Sequence, residues 1–312
     1  MRILVTGATG VIGRRVVPLL LREGHEVTAV ARSMTKASAL AGLGARPVHL
    51  DLFDRKALDR VVPGHEIIIN LATHMPSSSA RMLIPSSWRE NDRIRREGSA
   101  GLVDAALAAG VRRFVQESFA PAYPDRGANW IHEDTALAPA RYNMSLMDAE
   151  RSAARFASNG GTGIVVRFAA FYGPDAFHTR DMIKLVRMGW APLPGAPDAY
   201  ISSVSHDDAA TATVATLRAP SGTYNVVDDE PVVRREYFDA LAAALKVQPP
   251  RLPPAWLKHL FGSAGELLAR SQRISSEKLE NATGWTPRYR SVREGWSALV
   301  ESLDEAPTDV PA

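Results

Sequence analysis

The stretch TGATGVIG, residues 6–13, sets glycines at 7, 10 and 13 between the apolar run ILVT (3–6) and an amphipathic stretch over 11–22. The order strand, glycine turn, helix gives the spacing its meaning, because a glycine repeat alone is weak evidence. Gly7 permits a tight turn, Gly10 lets backbone approach a diphosphate, and Gly13 lets the helix close onto the sheet. The helix start then offers unpaired N–H groups and the positive end of its dipole to an anion. Thr9, Val11 and Ile12 complete the set expected at the phosphates.

Outward from this turn, further apolar runs at 26–31, 47–50, 66–70, 113–116 and 163–168 alternate with helical patterns over 35–43, 55–61, 87–109 and 141–159. Near-continuous apolar strands are those covered on both faces. The alternation predicts an α/β fold, a Rossmann-like doubly wound parallel sheet. After Gly173-Pro174 the texture changes: Pro192, Pro194 and Pro197 interrupt the chain, strands are expected at 200–204 and 224–227, and helices over 206–218, 235–245, 254–269, 276–282 and 292–303. The expected organisation is a dinucleotide-binding domain over 1–173, a smaller mostly helical substrate lobe over 174–303 with some chain crossing back to the sheet, and a frayed tail at 304–312.

Composition bounds the rest. With 312 residues, 46% of them hydrophobic, the chain can bury a core without disulfides or structural metal, and it has no cysteine to form either a disulfide or a thiolate site. Eight histidines without paired ligand spacing give no reason to expect a metal. The net charge is +3 and the arginines are scattered among acids, so no nucleic-acid partner is expected; the group Arg93, Arg95 and Arg96 reads as a solvated helix face. No apolar run nears the roughly 18 residues a membrane span needs, and no charged leader precedes an apolar stretch, which makes the expected location cytoplasmic and membrane-free. Only six of 37 basic residues are lysines.

Several segments resemble, in order, the extended short-chain dehydrogenase/reductases, the branch related to nucleotide-sugar epimerases and dehydratases. They are the G-x-x-G-x-x-G turn, Asp51-Leu52, NLAT (70–73), RFVQES (113–118), HEDTALAP (132–139), RFAAFYGP (167–174), VSHDDAA (204–210) and ATGWTP (282–287), and they span almost the whole chain. The resemblance implies a nicotinamide cofactor, with Asp51 and Leu52 at the adenine, Leu71, Ala72 and Thr73 along the cofactor, and Phe168 beside the nicotinamide. It also implies a homodimer paired through helices flanking the fourth and fifth strands. Where NAD-preferring relatives carry an acid after the second strand, this chain has Arg32, with Lys36 nearby. A guanidinium can grip a 2′-phosphate through two parallel hydrogen bonds, so NADP(H) is favoured over NAD(H).

The catalytic landmarks depart from the family pattern. In the resembling family a tyrosine and a lysine stand four apart; here Tyr142 has Leu146 in the lysine's place, and no lysine lies near in sequence. The usual serine position, counted back from Tyr123, falls on Phe119, with Ser118 one place earlier. Tyr142 and Ser118 are therefore the candidate catalytic residues, Tyr142 also touching the cofactor. A tyrosine at its ordinary pKa of about 10 is only about 0.1% ionised at pH 7, a poor base that remains a competent proton donor. The expected chemistry is reduction of a carbonyl or conjugated alkene of a small metabolite, with NADPH giving hydride and Tyr142 the proton. Two alternatives stay open: a redox-neutral epimerase, isomerase or dehydratase with retained nicotinamide, and a non-catalytic NADP(H) sensor in which Tyr142 is only a packing residue. Ile201 stands where sugar-nucleotide enzymes of the family carry a diphosphate-binding arginine, so the substrate is expected not to be a nucleotide sugar. Trp190, Leu193, Trp256, Leu257 and Phe261 offer apolar material for a less charged ligand, or for a core. Glu117 beside Ser118 reads as a cap or a local salt-bridge partner before an acid or base, and His74 and His132 as surface loop residues before cleft residues.

Overall fold

The computed structural model describes residues 1–304 apart from Leu83 and Leu193. Seven parallel strands form one sheet: β1 (Arg2–Thr6), β2 (Glu26–Val30), β3 (Arg46–Val48), β4 (Ile67–Asn70), β5 (Arg113–Phe119), β6 (Thr162–Phe168) and β7 (Gly222–Val226). Their order is β7-β6-β5-β4-β1-β2-β3, with the switch point between β1 and β4. The two-residue period of a strand splits the apolar runs between two cores. On one side Ile3, Val5, Ile69, Val115 and Val166 pack with Val16, Val17 and Leu20 of α1 (Gly13–Arg22) and with Ala209 and Ala212 of α7 (His206–Ala215). On the other, Leu4, Ile68, Phe114 and Val165 meet Leu58 of α3 (Arg55–Val61), Leu102 and Val103 of α4 (Ser99–Ala108), and Phe156 of α5 (Leu146–Ser158). Between them in sequence, α2 (Met34–Gly42) follows β2 and α6 (Phe177–Arg187) opens the second lobe.

That lobe has its own core, where Tyr172, Met182, Tyr237, Phe238 and Trp296 pack α6 against α8 (Arg234–Ala244) and α11 (Val292–Asp304). The helices α9 (Gly262–Ala269) and α10 (Glu277–Thr283) complete it. The chain does not part cleanly at 173: β7 pairs with β6 over Gly222–Val226, and α7 lies against α1. The expected tail lies outside the described residues from 305 onward. Among the described residues no helix is long and apolar enough to cross a membrane.

Three predicted helices are subdivided. The segment 87–109 runs through a 3₁₀ turn at Pro85–Trp88, a short α-helix at Arg89–Arg93 and a π turn at Ile94–Gly98 before α4. The stretch 141–159 opens with a 3₁₀ turn at Arg141–Asn143, and α5 starts only at Leu146. The stretch 254–269 breaks at Gly262, whose φ of 54° ends the 3₁₀ turn Ala255–Phe261 before α9.

Candidate active site

The glycine turn lies at the carboxyl ends of β1 and β4, on the switch point where open α/β sheets bind ligands. Gly7 has φ 65°, and a Cβ there would fall 2.3 Å from the Leu71 carbonyl oxygen. At Gly13 a Cβ would fall 2.1 Å from the Gly7 oxygen, so the helix start closes on the strand end only because neither residue has a side chain. The Gly10 N–H donates to the Gly7 oxygen at 2.9 Å, and Gly10 itself is exposed. Thr9 and Val11 are half-buried, Ile12 and Gly13 buried. Leu71 and Ala72 are buried beside the turn and Thr73 half-buried after them. Below it, Thr6 donates to Asn70 at 2.5 Å and Asn70 to Gln116 at 2.8 Å, tying the ends of β1, β4 and β5. A turn whose closest approaches are made by glycine, opening into a helix N-terminus, fits a dinucleotide diphosphate.

The residues expected at the adenosine are exposed or half-buried. Arg32, just past β2, is exposed and forms no ion pair among the described residues. Ser33 caps α2 by accepting the Lys36 N–H. Asp51 is exposed and accepts the Phe53 N–H at 3.0 Å, and Leu52 is half-buried. Phe168 is buried at the end of β6, its ring 5.3 Å from that of Phe171.

Tyr142 sits in the 3₁₀ turn ahead of α5, half-buried, with its ring 5.0 Å from Trp88. It therefore shares no helical face with position 146, where Leu146 is fully buried at the start of α5. Burial pushes the Tyr142 hydroxyl up to about 12, opposed by the charge of Arg270. Arg270 follows α9, which packs against the 141–143 turn, and donates from Nη1 to the Tyr123 carbonyl at 2.8 Å; its charge acts on Tyr142. Next in the chain, Asn143 is buried with both amide atoms unpartnered, and Asn91 Nδ2 is buried and unpartnered as well.

Ser118 does not face this cleft with a free hydroxyl. β5 continues to Phe119 instead of ending at Gln116, so Ser118 stays in the strand, 2% exposed, and donates to Glu150 of α5 at 2.6 Å. Glu150 also accepts Arg167 Nε at 2.8 Å and Nη2 at 2.7 Å. The third arm of Arg167 reaches the Tyr123 hydroxyl at 2.6 Å, and Tyr123 donates on to Asn225 at 2.9 Å. The geometry makes Ser118 part of a closed polar network. Glu117 is likewise paired, with Arg95 at 3.0 Å, a partner 22 residues away and not the local one expected. The solvated-face reading of the arginine cluster fails at Arg95, because the π turn swings it inward to 5% exposure.

In the lobe, Ile201 is half-buried in a two-stranded pair with Val232. Trp190, Trp256 and Phe261 are exposed at 48%, 61% and 44%, so they are not core; Leu257 is half-buried, and Leu193 lies outside the described residues. His74 and His132 are exposed. Sequence reasoning missed Glu150, Arg95 and Arg270, each of which acts on a partner far along the chain with no local pattern to announce it.

The family model of the NAD dependent epimerase/dehydratase family matches residues 3–226. A 3-diazoavenalumate denitrifying reductase of a Streptomyces species is 33% identical over 309 residues, 95% of this chain and 99% of its own length. Among solved structures, human epimerase family protein SDR39U1 with NADPH superposes with a TM-score of 0.76 at 20% identity, over 96% of this chain and 99% of its own. The dTDP-glucose 4,6-dehydratase DesIV of Streptomyces venezuelae, with NAD bound, gives 0.78 at 22% identity, over 98% and 97%.

Proposed function

The chain belongs to the NAD dependent epimerase/dehydratase family, and from that premise we propose that it is an NADP(H)-dependent reductase of a small acceptor other than a nucleotide sugar, with Tyr142 as proton donor. The observation that carries this reading is the state of Tyr142: Leu146 fills the family's lysine position, and burial pushes the Tyr142 hydroxyl up to about 12. A group so placed keeps its proton at physiological pH, which disfavours abstraction from an alcohol and leaves donation to a developing anion. Bound nicotinamide supplies the hydride. For a carbonyl acceptor, hydride forms the new C–H bond while the Tyr142 O–H bond breaks toward the former carbonyl oxygen, giving an alcohol; for a conjugated alkene the proton goes to the enolate. Gly7, Gly10 and Gly13 would hold the diphosphate, Asp51 and Leu52 the adenine, and Arg32 with Lys36 a 2′-phosphate. Ile201 cannot neutralise a sugar nucleotide's diphosphate, which supports a smaller substrate.

A second acceptor class is favoured by the 33% identical relative, whose name describes reductive loss of nitrogen from a diazo compound. On an aryl diazonium, hydride forms a C–H bond as the C–N bond breaks and dinitrogen leaves. That step needs no proton from the protein, so Leu146 and the commitment of Ser118 to Glu150 cost it nothing. The test is consumption of NADPH and NADH with an aryl aldehyde, a cyclic enone and an aryl diazonium salt. NADPH oxidation with at least one, preferred over NADH, supports the reading; cofactor that binds and is consumed with none contradicts it.

A further inference from the structure

We infer that Arg270, delivered by the C-terminal lobe, anchors an anionic group of the substrate beside Tyr142, so that the substrate class is small conjugated or aromatic carboxylates. The inference rests on the reductase reading and names the substrate of that same site. Arg270 comes at the end of α9, which packs against both the 141–143 turn and the Ala120–Ala122 turn. One arm of its guanidinium is fixed on the Tyr123 carbonyl at 2.8 Å, a carbonyl also held by Gln272 Nε2 at 2.5 Å. That contact orients the fork and leaves other N–H donors unspent, and among the described residues no carboxylate lies within ion-pair distance of it.

Arg270 is half-buried, with Asp125 and Glu266 acting on its charge from beyond ion-pair distance, and a partly desolvated cation is attractive to an anion. Two other arginines of this part of the lobe face elsewhere. The Arg273 guanidinium lies 4.0 Å over the Trp130 ring and 5.1 Å from that of Tyr200, its Nε buried without a partner among the described residues. Arg234 is fully buried and donates from Nη2 to the Leu268 carbonyl at 2.9 Å, with Nε and Nη1 buried and unpartnered among the described residues. The free donors of Arg270 match a carboxylate gripped through parallel hydrogen bonds. The Tyr142–Trp88 ring pair specifies the rest of the ligand, since it suits a flat conjugated body. The buried, unpartnered amide of Asn143 adds polar capacity next to Tyr142.

The experiment titrates cinnamate and its neutral isostere cinnamide into the NADPH-loaded protein and measures affinity calorimetrically, so that it needs no turnover. Wild type is expected to bind cinnamate about tenfold or more tightly than cinnamide. Arg270→Gln should abolish that difference while leaving cinnamide and NADPH affinities unchanged, and Arg270→Lys should restore part of it. Equal affinities in wild type, or a preference that survives Arg270→Gln, overturns the proposal. Should Arg270→Gln fail to fold, the wild-type comparison and Arg270→Lys still decide it. A carboxylate preference that depends on Arg270, in a protein that consumes NADPH with none of the three acceptors, upholds the anchor and removes the reductase reading instead.

Discussion

Replacing Glu150 with Gln removes one charge from a nearly closed cluster. Glu150 receives three hydrogen bonds, two from Arg167 at 2.8 and 2.7 Å and one from Ser118 at 2.6 Å. The Arg167 and Glu150 side chains are only 8% and 13% exposed, so little water can take over for the lost carboxylate. An amide offers one acceptor oxygen to donors that were served by two, and the guanidinium charge is left uncompensated. Breaking one partner of a buried pair costs roughly 3–5 kcal/mol; since the amide still accepts, about 3 kcal/mol is expected. At about 2 °C per kcal/mol for a chain of this size, the midpoint of thermal unfolding should fall by roughly 6 °C. Calorimetry gives the shift, and urea unfolding followed by tryptophan fluorescence gives the free energy. The double variant Glu150→Leu, Arg167→Met should lose less than Glu150→Gln alone, because it removes the orphaned charge. In the same background, Ser118→Ala should cost about 1 kcal/mol and leave turnover nearly unchanged. A Glu150→Gln protein as stable as wild type refutes the network; a Ser118→Ala protein of full stability and lost turnover shows instead that the hydroxyl reaches substrate.

Other consequences are open to direct measurement. Gly13→Ala puts a methyl 2.1 Å from the Gly7 oxygen, and NADPH affinity should fall beyond detection in a fluorescence titration; normal affinity would mean the turn is not the diphosphate site. Arg32→Ala should lower the preference for NADPH over NADH by about tenfold, the loss of a charge-assisted phosphate contact, and an unchanged ratio would move the phosphate elsewhere. His206 is held neutral down to about 3, first by burial and then by the charge of Arg15, whereas in the unfolded chain it takes a proton near 6.5. Its contribution to stability is complete above about pH 6.5 and is lost as pH falls toward 3, at up to about 1.4 kcal/mol per pH unit. His206→Gln should flatten that acid limb in urea midpoints measured across it, and an unaltered slope removes the assignment.

The parallel sheet was legible because its strands are buried on both faces, which writes near-continuous apolar runs such as Ile67–Asn70 into the sequence. The glycine turn was legible for a steric reason: at 7 and 13 any side chain would strike backbone. The absence of the lysine could be read from position 146 itself, but the cation whose charge acts on Tyr142 could not. The packing of α9 against the 141–143 turn brings Arg270 toward Tyr142, and nothing local to either residue announces the other. Ser118 illustrates a different limit. Whether its hydroxyl meets the cleft or α5 depends on β5 running to Phe119 and on Glu150 being one helix away. The π turn at Ile94–Gly98 shifts the helical phase without disturbing composition, so the inward turn of Arg95 toward Glu117 was hidden inside an apparently solvated cluster. Trp190, Trp256 and Phe261 show that apolar residues in a proline-broken lobe need not enter its core.

The most direct test of hydride transfer is to follow deuterium from C4-labelled NADPH into product by mass spectrometry, using the aldehyde, enone and diazonium acceptors with wild type and Tyr142→Phe. The account predicts label on the reduced carbon of at least one product, with carbonyl reduction in Tyr142→Phe slowed about a hundredfold and diazonium reduction untouched. Label absent from every product, or carbonyl reduction as fast without the Tyr142 hydroxyl as with it, would contradict it.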